Sequence, residues 1–427
     1  MVNLIERTFR TDRHQTTLKQ ELLAGITSYL TVVYIIIVNG AILSDSGIPF
    51  EAAVMATIVS SWIGCLLMGF WANAPIVLVP GMGINAFFTY TMVHDMGFTW
   101  QEALAVVVVS GFLFTAAAFS RLSILITTSL PDSLKKGITV GIGLLITFIG
   151  LQKGGIIVSD PRTFVAVGDL RQPGAWLTLI TLMLILFLFA RKIRGSFLLG
   201  ILAATLVAKA LNMEQVSPSG TEFLSLKPFL AVAGSLSLAK IATFPFWTAT
   251  FALVLVLVFE NIGLLQGLLK DKSKFLPAFQ ASALSTINSG FAGTSPTVCA
   301  LESATGISAG GKTGLTAITT GFLLLLSALL IPLIQWIPDS SIAAVLIVVG
   351  GLMVQEVQSI PFSDLTEGIP AFITFTFIPF TYSIPTGIAF GFIAYAILKL
   401  VTGKAKEAPF AFYAITCMFC LQLILHP

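Results

Sequence analysis

The sequence predicts an all-α polytopic membrane fold of fourteen spans, arranged as two inverted repeats of seven with a short strand in span 3 and in span 10. Three observations predict it. Of 427 residues, 56% are hydrophobic and only 10% charged, with a mean hydropathy of +0.95, whereas a soluble globular domain carries roughly 25% charged residues. Apolar runs of ~20 residues, the length needed to cross a bilayer as a helix, recur along the whole chain. The third segment of each half is interrupted by glycine and proline at matching positions.

In order, the first seven segments fall near 22–43, 50–72, 76–93, 99–120, 132–151, 174–190 and 196–212. A more polar stretch, 212–227, divides the chain. The second seven fall near 244–269, 275–292, 294–308, 313–337, 340–357, 368–382 and 384–402. The thirteenth is short and carries Pro370 and Pro379, with Pro385 just beyond, so it is expected as two half-helices. The apolar stretch 409–425 is either a fifteenth span or an interfacial helix.

Lysine and arginine test this count, because short cytoplasmic loops hold the excess of positive charge. With residue 1 inside, cytoplasmic positions hold Arg7, Arg10, Arg13, Lys19, Arg121, Lys135, Lys136, Arg191, Lys192, Arg194, Lys270, Lys272, Lys274, Lys312, Lys399, Lys404 and Lys406, which is 17 of the 23. Only Lys153, Arg162, Arg171, Lys209, Lys227 and Lys240 fall outside. Removing or adding one middle span would scramble that bias. The small net charge of +3 leaves no basic face for nucleic acid. Segment 1–19 lacks the small-residue cleavage site of a secretory signal, so the first span is expected to be the membrane address itself.

Seven spans per half force two related halves to insert with opposite orientation, an architecture common among secondary transporters. Segment 74–80 precedes Gly81, Gly83 and Asn85, and segment 293–298 precedes Glu302. Each reads as an extended strand feeding a half-helix, broken by Pro80, Gly81 and Gly83 in one half and by Gly293 and Pro296 in the other. Extended backbone at membrane depth is costly unless it is buried in protein or lines a cavity, so the pair points to a central site. A plain Pro/Gly kink explains either break alone, but less well the matched pair.

Two carboxylates lie within apolar segments, where an ionised group costs about 3 kcal/mol even on the lenient insertion scale. Glu260 sits inside span 8 with Gly263 and Gly267 on its helical face, leaving room for a neighbour or ligand. Glu302 falls in the first turn of the second half-helix, where the positive dipole end favours an acceptor. A carboxylate in a dry site accepts hydrogen bonds from ring N–H groups and exocyclic amines, and it can also carry a proton. Structural ion pairing would be the ordinary explanation, but no Lys or Arg lies nearby within the spans. Asn85 offers donor and acceptor from the first half-helix. Phe87, Phe88 and Tyr90 could stack on a flat ring, although core packing accounts for them better.

Several readings are excluded. Gly306-Ile-Ser-Ala-Gly-Gly311-Lys312-Thr313 satisfies the P-loop pattern, but no soluble α/β domain surrounds it, so it is read as the loop between spans 10 and 11. Cys65, Cys299, Cys417 and Cys420 lie in apolar runs without the spacing of a zinc site or disulfide framework. His14, His94 and His426 are too scattered for a metal centre or triad. No cofactor, metal or catalytic residue is expected.

Three long motifs carry a resemblance: Pro80-Gly-Met-Gly-Ile-Asn85-Ala-Phe-Phe88, Gly293-Thr294-Ser295-Pro296-Thr297 with Glu302-Ser303-Ala304-Thr305-Gly306-Ile307, and Gly310-Gly-Lys-Thr-Gly-Leu-Thr-Ala317. Pro379-Phe-Thr-Tyr382-Ser-Ile384 with Gly387-Ile-Ala-Phe-Gly-Phe392 extends it over nearly the whole chain. The chain closely resembles the AzgA-like branch of the nucleobase:cation symporter-2 permeases. That resemblance implies a core domain of spans 1–4 and 8–11 (residues 1–121 and 244–338) and a gate domain of spans 5–7 and 12–14 (122–243 and 339–407), followed by 408–427. It implies import of hypoxanthine, guanine or adenine with protons across the cytoplasmic membrane. It places substrate contacts at Asn85, Phe87, Phe88, Glu260, Thr294, Ser295 and Glu302, with Glu260 the expected proton carrier and Glu302 the second candidate. Where the branch has Asp-Thr-Ile-Gly-Thr in span 8, this chain has Glu260-Asn261-Ile262-Gly263-Leu264, which bears on which base is carried. The alternatives are another nucleobase (xanthine, uracil or urate) or a small anion exchanged on the same fold. The partners expected are a nucleobase, protons and the lipid bilayer, with a homodimer left open.

Overall fold

The structure is a computed structural model that describes residues 6, 8–9, 11–120, 131–211, 213, 226–334 and 336–425. Arg7, Arg10, Arg121, most of the polar stretch 212–227 and the domain boundary drawn at 121 lie outside the described residues. Nine helices among those described are long and apolar enough to cross a membrane: Leu18–Asp45, Phe50–Trp71, Trp100–Phe119, Asp132–Lys153, Pro173–Ala190, Phe244–Leu268, Gly314–Ile334, Asp339–Ser359 and Ile384–Val401. These are spans 1, 2, 4, 5, 6, 8, 11, 12 and 14.

The remaining five fall below that measure for physical reasons. Spans 7 (Ser196–Ala210) and 13 (Leu365–Thr381) are apolar but short. Span 9 (Phe275–Ala292) buries Ser282, Ser285, Thr286 and Ser289 against protein and so needs no uniformly oily surface. Spans 3 and 10 are broken: strand β1 (Leu78–Pro80) leads into the helix Met82–Ala86 and the π-helix Phe87–Asp95, and strand β4 (Thr297–Cys299) leads into the helix Ser303–Ser308.

Span 5 packs against spans 12 and 13, span 13 against span 14, and span 12 against span 6. Span 9 packs against spans 2 and 4, and span 11 against spans 1 and 2. Small residues permit the closest approaches. At Gly143 of span 5 a Cβ would lie 2.7 Å from Gly350 O of span 12, so these two backbones touch directly. Lipid is left to the periphery: in span 6, Ile180, Met183, Leu186 and Phe187 are exposed. Span 4 starts on a capping box, with Thr99 N donating to Glu102 Oε2 at 2.8 Å and Glu102 N to Thr99 Oγ1 at 3.3 Å.

Span 13 departs from expectation. It is one continuous helix through Pro370 and Pro379 rather than two halves. The helix runs through both prolines; Thr374 donates its hydroxyl to Pro370 O at 2.8 Å, and Gly391 lets span 14 pack closely on the same turn, where a Cβ would meet Pro370 O at 3.3 Å. Two elements were not anticipated. A hairpin of β2 (Ile157–Asp160) and β3 (Phe164–Val167) joins spans 5 and 6, and a short helix, Lys227–Val232, precedes span 8. At the hairpin turn the backbone N–H groups of Thr163 and Arg162, with the Thr163 hydroxyl, donate to Asp160 and hold its carboxyl below the ordinary range.

The apolar stretch after span 14 is a 16-residue helix, Phe410–Leu425, about 24 Å long at 1.5 Å per residue. Phe412 and Phe419 are buried on Phe392 of span 14, with ring centroids 5.0 and 5.5 Å apart. Lys399, buried in span 14, pairs with Glu367 at 2.8 Å and Glu407 at 2.7 Å, fastening the last turn of the bundle to that helix.

Candidate functional site

The two broken spans meet. Strands β1 and β4 pair antiparallel with Leu78 opposite Cys299, Val79 opposite Val298 and Pro80 opposite Thr297. Ala300 N donates to Val77 O at 2.9 Å and Gly81 N to Pro296 O at 3.3 Å. An unsatisfied peptide group in hydrocarbon costs several kcal/mol, so each three-residue strand supplies what the other needs. Side chains complete the account. Thr297 N donates to Ser289 Oγ at 3.1 Å, Cys299 N to Asn261 Oδ1 at 3.0 Å and Val77 N to Ser303 Oγ at 3.0 Å.

This crossing fixes where the half-helices begin. Gly81 is extended (φ −72°, ψ 131°) and opens the first; Gly293, left-handed at φ +89°, ends span 9 and turns the chain into the second break. The segment 293–296 forms a turn rather than strand, because Thr294 N bonds back to Ser289 O at 3.0 Å. The Thr294 and Ser295 hydroxyls are occupied. Asn39 of span 1 donates to Thr294 Oγ1 at 3.0 Å and accepts from Ser295 Oγ at 3.1 Å, and all three residues are buried. They tie the second break to span 1.

Glu260 and Glu302 are brought toward the same junction by span 8 and the span 10 half-helix, which pack against each other. A Cβ on Gly81 would lie 3.5 Å from Glu260 Oε1, so the span 8 carboxylate abuts the start of the first half-helix. Among the described residues nothing donates to the Glu260 side chain and no cation pairs with it. Glu302 stands immediately before the first helical residue of span 10 rather than in its first turn, and Tyr34 donates its hydroxyl to Glu302 Oε1 at 2.7 Å. Both glutamates are half-buried. They therefore keep a face toward open space.

Asn85 is fully buried one turn beyond Gly81, with its N bonded to Gly81 O at 2.9 Å. Its Nδ2 rests 3.6 Å from Met82 Sδ, and its Oδ1 is without a hydrogen-bond partner among the described residues. A buried carbonyl oxygen left unpaired is a costly arrangement. Phe87 and Phe88 are buried in the main apolar cluster. Gly263 and Gly267 are exposed, and a Cβ at either would meet nothing within 4 Å, so the Glu260 face of span 8 is open along its last two turns.

The opposite end of the bundle is tightly bridged. Lys153 of span 5 contacts both carboxylate oxygens of Asp45 at the end of span 1, at 2.7 and 2.9 Å. Tyr90 of span 3 donates to Asp45 Oδ2 at 2.6 Å. Tyr382, in a left-handed conformation after span 13, donates to Gln152 and packs edge-on against Tyr90 and Phe148. These residues line a cavity of about 440 Å³ with His94 and Ile149.

The P-loop-like segment has a clear occupant. The Lys312 and Thr313 backbone N–H groups donate to the two Glu21 carboxylate oxygens at 3.0 and 3.3 Å, and Thr316 Oγ1 donates to Oε2 at 2.5 Å. The loop cradles a carboxylate of its own chain in span 1.

Sequence reasoning missed Tyr34 and Asn39, and took Asn261 only as a departure beside Glu260. Tyr34 and Asn39 are lone hydrogen-bonding residues in an apolar run, and that isolation is the signal that could have found them, since a polar group in hydrocarbon needs a partner.

Half-helices meeting tip to tip inside a helical bundle, with acidic groups at the junction, make this a secondary transporter of the inverted-repeat class rather than an enzyme. The fold agrees with that of the transmembrane domain of a cyanobacterium bicarbonate transporter, BicA, at a TM-score of 0.66 and 16% identity over 88% of this chain and 97% of that one. The chain belongs to the Permease family (Xan_ur_permease), which it matches over residues 19–425. It is 46% identical to the nucleobase transporter PlAzg2 of Paenibacillus larvae over 89% of this chain and 77% of that one. It is 35% identical both to the adenine permease AdeP of Escherichia coli, over 99% of this chain and 96% of that one, and to the guanine/hypoxanthine permease PbuO of Bacillus subtilis, over 98% and 100%.

Proposed function

We propose that the chain imports a purine nucleobase, hypoxanthine, guanine or adenine, by proton symport across the cytoplasmic membrane with its N-terminus inside. The observation that supports this reading is the β1–β4 crossing, beside which Glu260 abuts Gly81 and Glu302 opens the second half-helix, with Asn85 one turn beyond Gly81. The site is rich in acceptors, and a purine offers donors: ring N–H groups in all three bases and an exocyclic amine in guanine and adenine. Glu302, held by Tyr34, serves as the fixed acceptor. Glu260, which has neither a cation nor a donor among the described residues, carries the proton, because binding H⁺ is its means of shedding charge on entering a dry site. The names of the relatives, which include adenine and guanine/hypoxanthine permeases, support a purine.

Spans 1–4 and 8–11 form a core that carries the site, and spans 5–7 and 12–14 a gate against which it moves. The packing of span 5 on spans 12 and 13, and of span 9 on spans 2 and 4, supports that division. The open face at Gly263 and Gly267 and the closed Asp45–Lys153 end support an inward-facing state, since Lys270, Lys272 and Lys274 mark the cytoplasmic side. An anion exchanger on this fold is disfavoured, because two carboxylates at the junction would repel its substrate.

The test is uptake of labelled hypoxanthine, guanine, adenine, xanthine and uracil by cells lacking their own permeases. Proton-dependent accumulation of a purine is the expected result. Accumulation of uracil alone would replace the purine by a pyrimidine, and no uptake of any base would end the proposal.

A further inference from the structure

We infer that Tyr34 is a positioning residue that couples the substrate carboxylate of Glu302 to the packing of span 7; the inference rests on the transport reading above. In span 1 the helix Leu18–Asp45 is locally irregular at Val33, which stays helical (φ −59°, ψ −28°) and donates its N–H to Tyr29 O at 2.9 Å. Tyr34 follows it and is only 1% exposed. Its two ends touch two different parts of the molecule. The hydroxyl donates to Glu302 Oε1 at 2.7 Å, while the ring lies on Phe197 of span 7, with centroids 4.6 Å apart and planes inclined by 37°.

The surroundings keep the first contact fixed and let the second report movement. Thr31 Oγ1 lies 2.9 Å from Thr305 Oγ1, so span 1 and the half-helix of span 10 are joined one turn before Tyr34. Tyr34 and Glu302 therefore travel together. Span 7 reaches the same place from the proposed gate: Gly195, left-handed at φ +74°, begins it, and a Cβ there would lie 3.1 Å from Leu30 O. Any sliding of the core against the gate changes the Tyr34–Phe197 contact, while the hydroxyl stays with Glu302.

The hydroxyl holds Oε1 of Glu302, and the residue's own backbone N–H also acts on the carboxylate. A hydrogen bond to an ionised acceptor is roughly twice as strong as a neutral one. Losing the Tyr34 bond loosens the carboxylate, and substrate must then bear part of the cost of ordering it. The chemistry divides cleanly: the hydroxyl governs affinity and the ring governs movement.

The test measures KM and Vmax, per molecule of protein in the membrane, for whichever of labelled hypoxanthine, guanine or adenine the unmodified chain accumulates. Tyr34→Phe, which keeps the ring, is expected to raise KM about tenfold or more and to hold Vmax within about twofold. Phe197→Ala is expected to do the reverse, lowering Vmax severalfold with KM little changed. Ligand-induced stabilisation of the purified protein gives a second readout independent of transport; Tyr34→Phe should require about tenfold more base for the same shift. A wild-type KM and a wild-type stabilisation curve for Tyr34→Phe would overturn the role of the hydroxyl. A Phe197→Ala variant with raised KM and normal Vmax would overturn the coupling. If the unmodified chain accumulates none of the bases, the transport reading fails and this inference with it, whereas normal uptake with an indifferent Tyr34→Phe defeats this inference alone.

Discussion

Lys153 at the end of span 5 grips Asp45 at the end of span 1, 2.7 Å from one carboxylate oxygen and 2.9 Å from the other. The pair is partly buried, with side chains 19% and 28% exposed, and Tyr90 donates to the same carboxylate. It joins the two groups of spans across the face proposed to be extracellular. An outward-open state requires it to part.

Removing the pair should therefore favour the outward-open state. Lys153→Met is expected to weaken closure by about 1 kcal/mol, which is about fivefold in population. The check is labelling of Ile149→Cys by a membrane-impermeant thiol reagent from outside. Labelling at the same rate with and without Lys153→Met would show that the pair does not close this face.

Glu260→Gln should abolish concentrative uptake, because an amide cannot exchange a proton, while leaving counterflow of preloaded base measurable. Accumulation in the unmodified chain should rise as external pH falls, and the variant should be flat over the same range. Full accumulation by Glu260→Gln would move the proton elsewhere.

Glu302→Gln and Asn85→Ala should lose affinity rather than coupling. Each removes an acceptor from the junction, at about 1–3 kcal/mol per lost bond, so the base concentration giving half-maximal stabilisation of the purified protein should rise roughly tenfold or more. Unchanged affinity in both variants would place the substrate away from the strand crossing.

Asn261→Leu should be a stability variant. It strips the acceptor from Cys299 N and from Ser282 Oγ, which donates at 2.6 Å, and leaves a buried peptide N–H unpaired. The expected loss is about 1–3 kcal/mol, read as a lower melting temperature in detergent and restored in part by bound base. A melting temperature equal to that of the unmodified protein would show that β4 holds its place without Asn261.

Glu21→Ala should destabilise the loop after span 10 and lower the same melting temperature, since the Lys312 and Thr313 N–H groups lose their acceptor. ATP should leave the melting temperature of the unmodified protein unchanged. A clear upward shift with ATP would restore the nucleotide reading of the Gly306–Thr313 motif.

Much of this was legible in the sequence, and the exceptions share a cause. Span lengths and the placement of Lys and Arg gave the fourteen-span order because both answer directly to the bilayer. Glu260, Glu302 and the two breaks were visible because charge, proline and glycine are conspicuous in oil. The extent of the second strand was not: 293–296 looks extended, but Asn39, far off in span 1, binds Thr294 and Ser295 and shapes a turn. Tyr34 was hidden for the same reason, its meaning lying in Glu302 and Phe197, which only the folded chain brings near. Span 13 misled because its helix continues through both prolines while packed closely on span 14 at Gly391, a contact that only the folded chain supplies.

The pairing of Leu78 with Cys299 also orders the birth of the protein. When span 3 leaves the ribosome, its strand has no mate, and none exists until span 10 has been made. The nascent first half must shelter bare peptide groups in the insertion machinery or at the lipid surface through the synthesis of six further spans. A truncated product ending before Thr297 would keep that raw edge permanently, which makes it a natural target for membrane quality-control proteases.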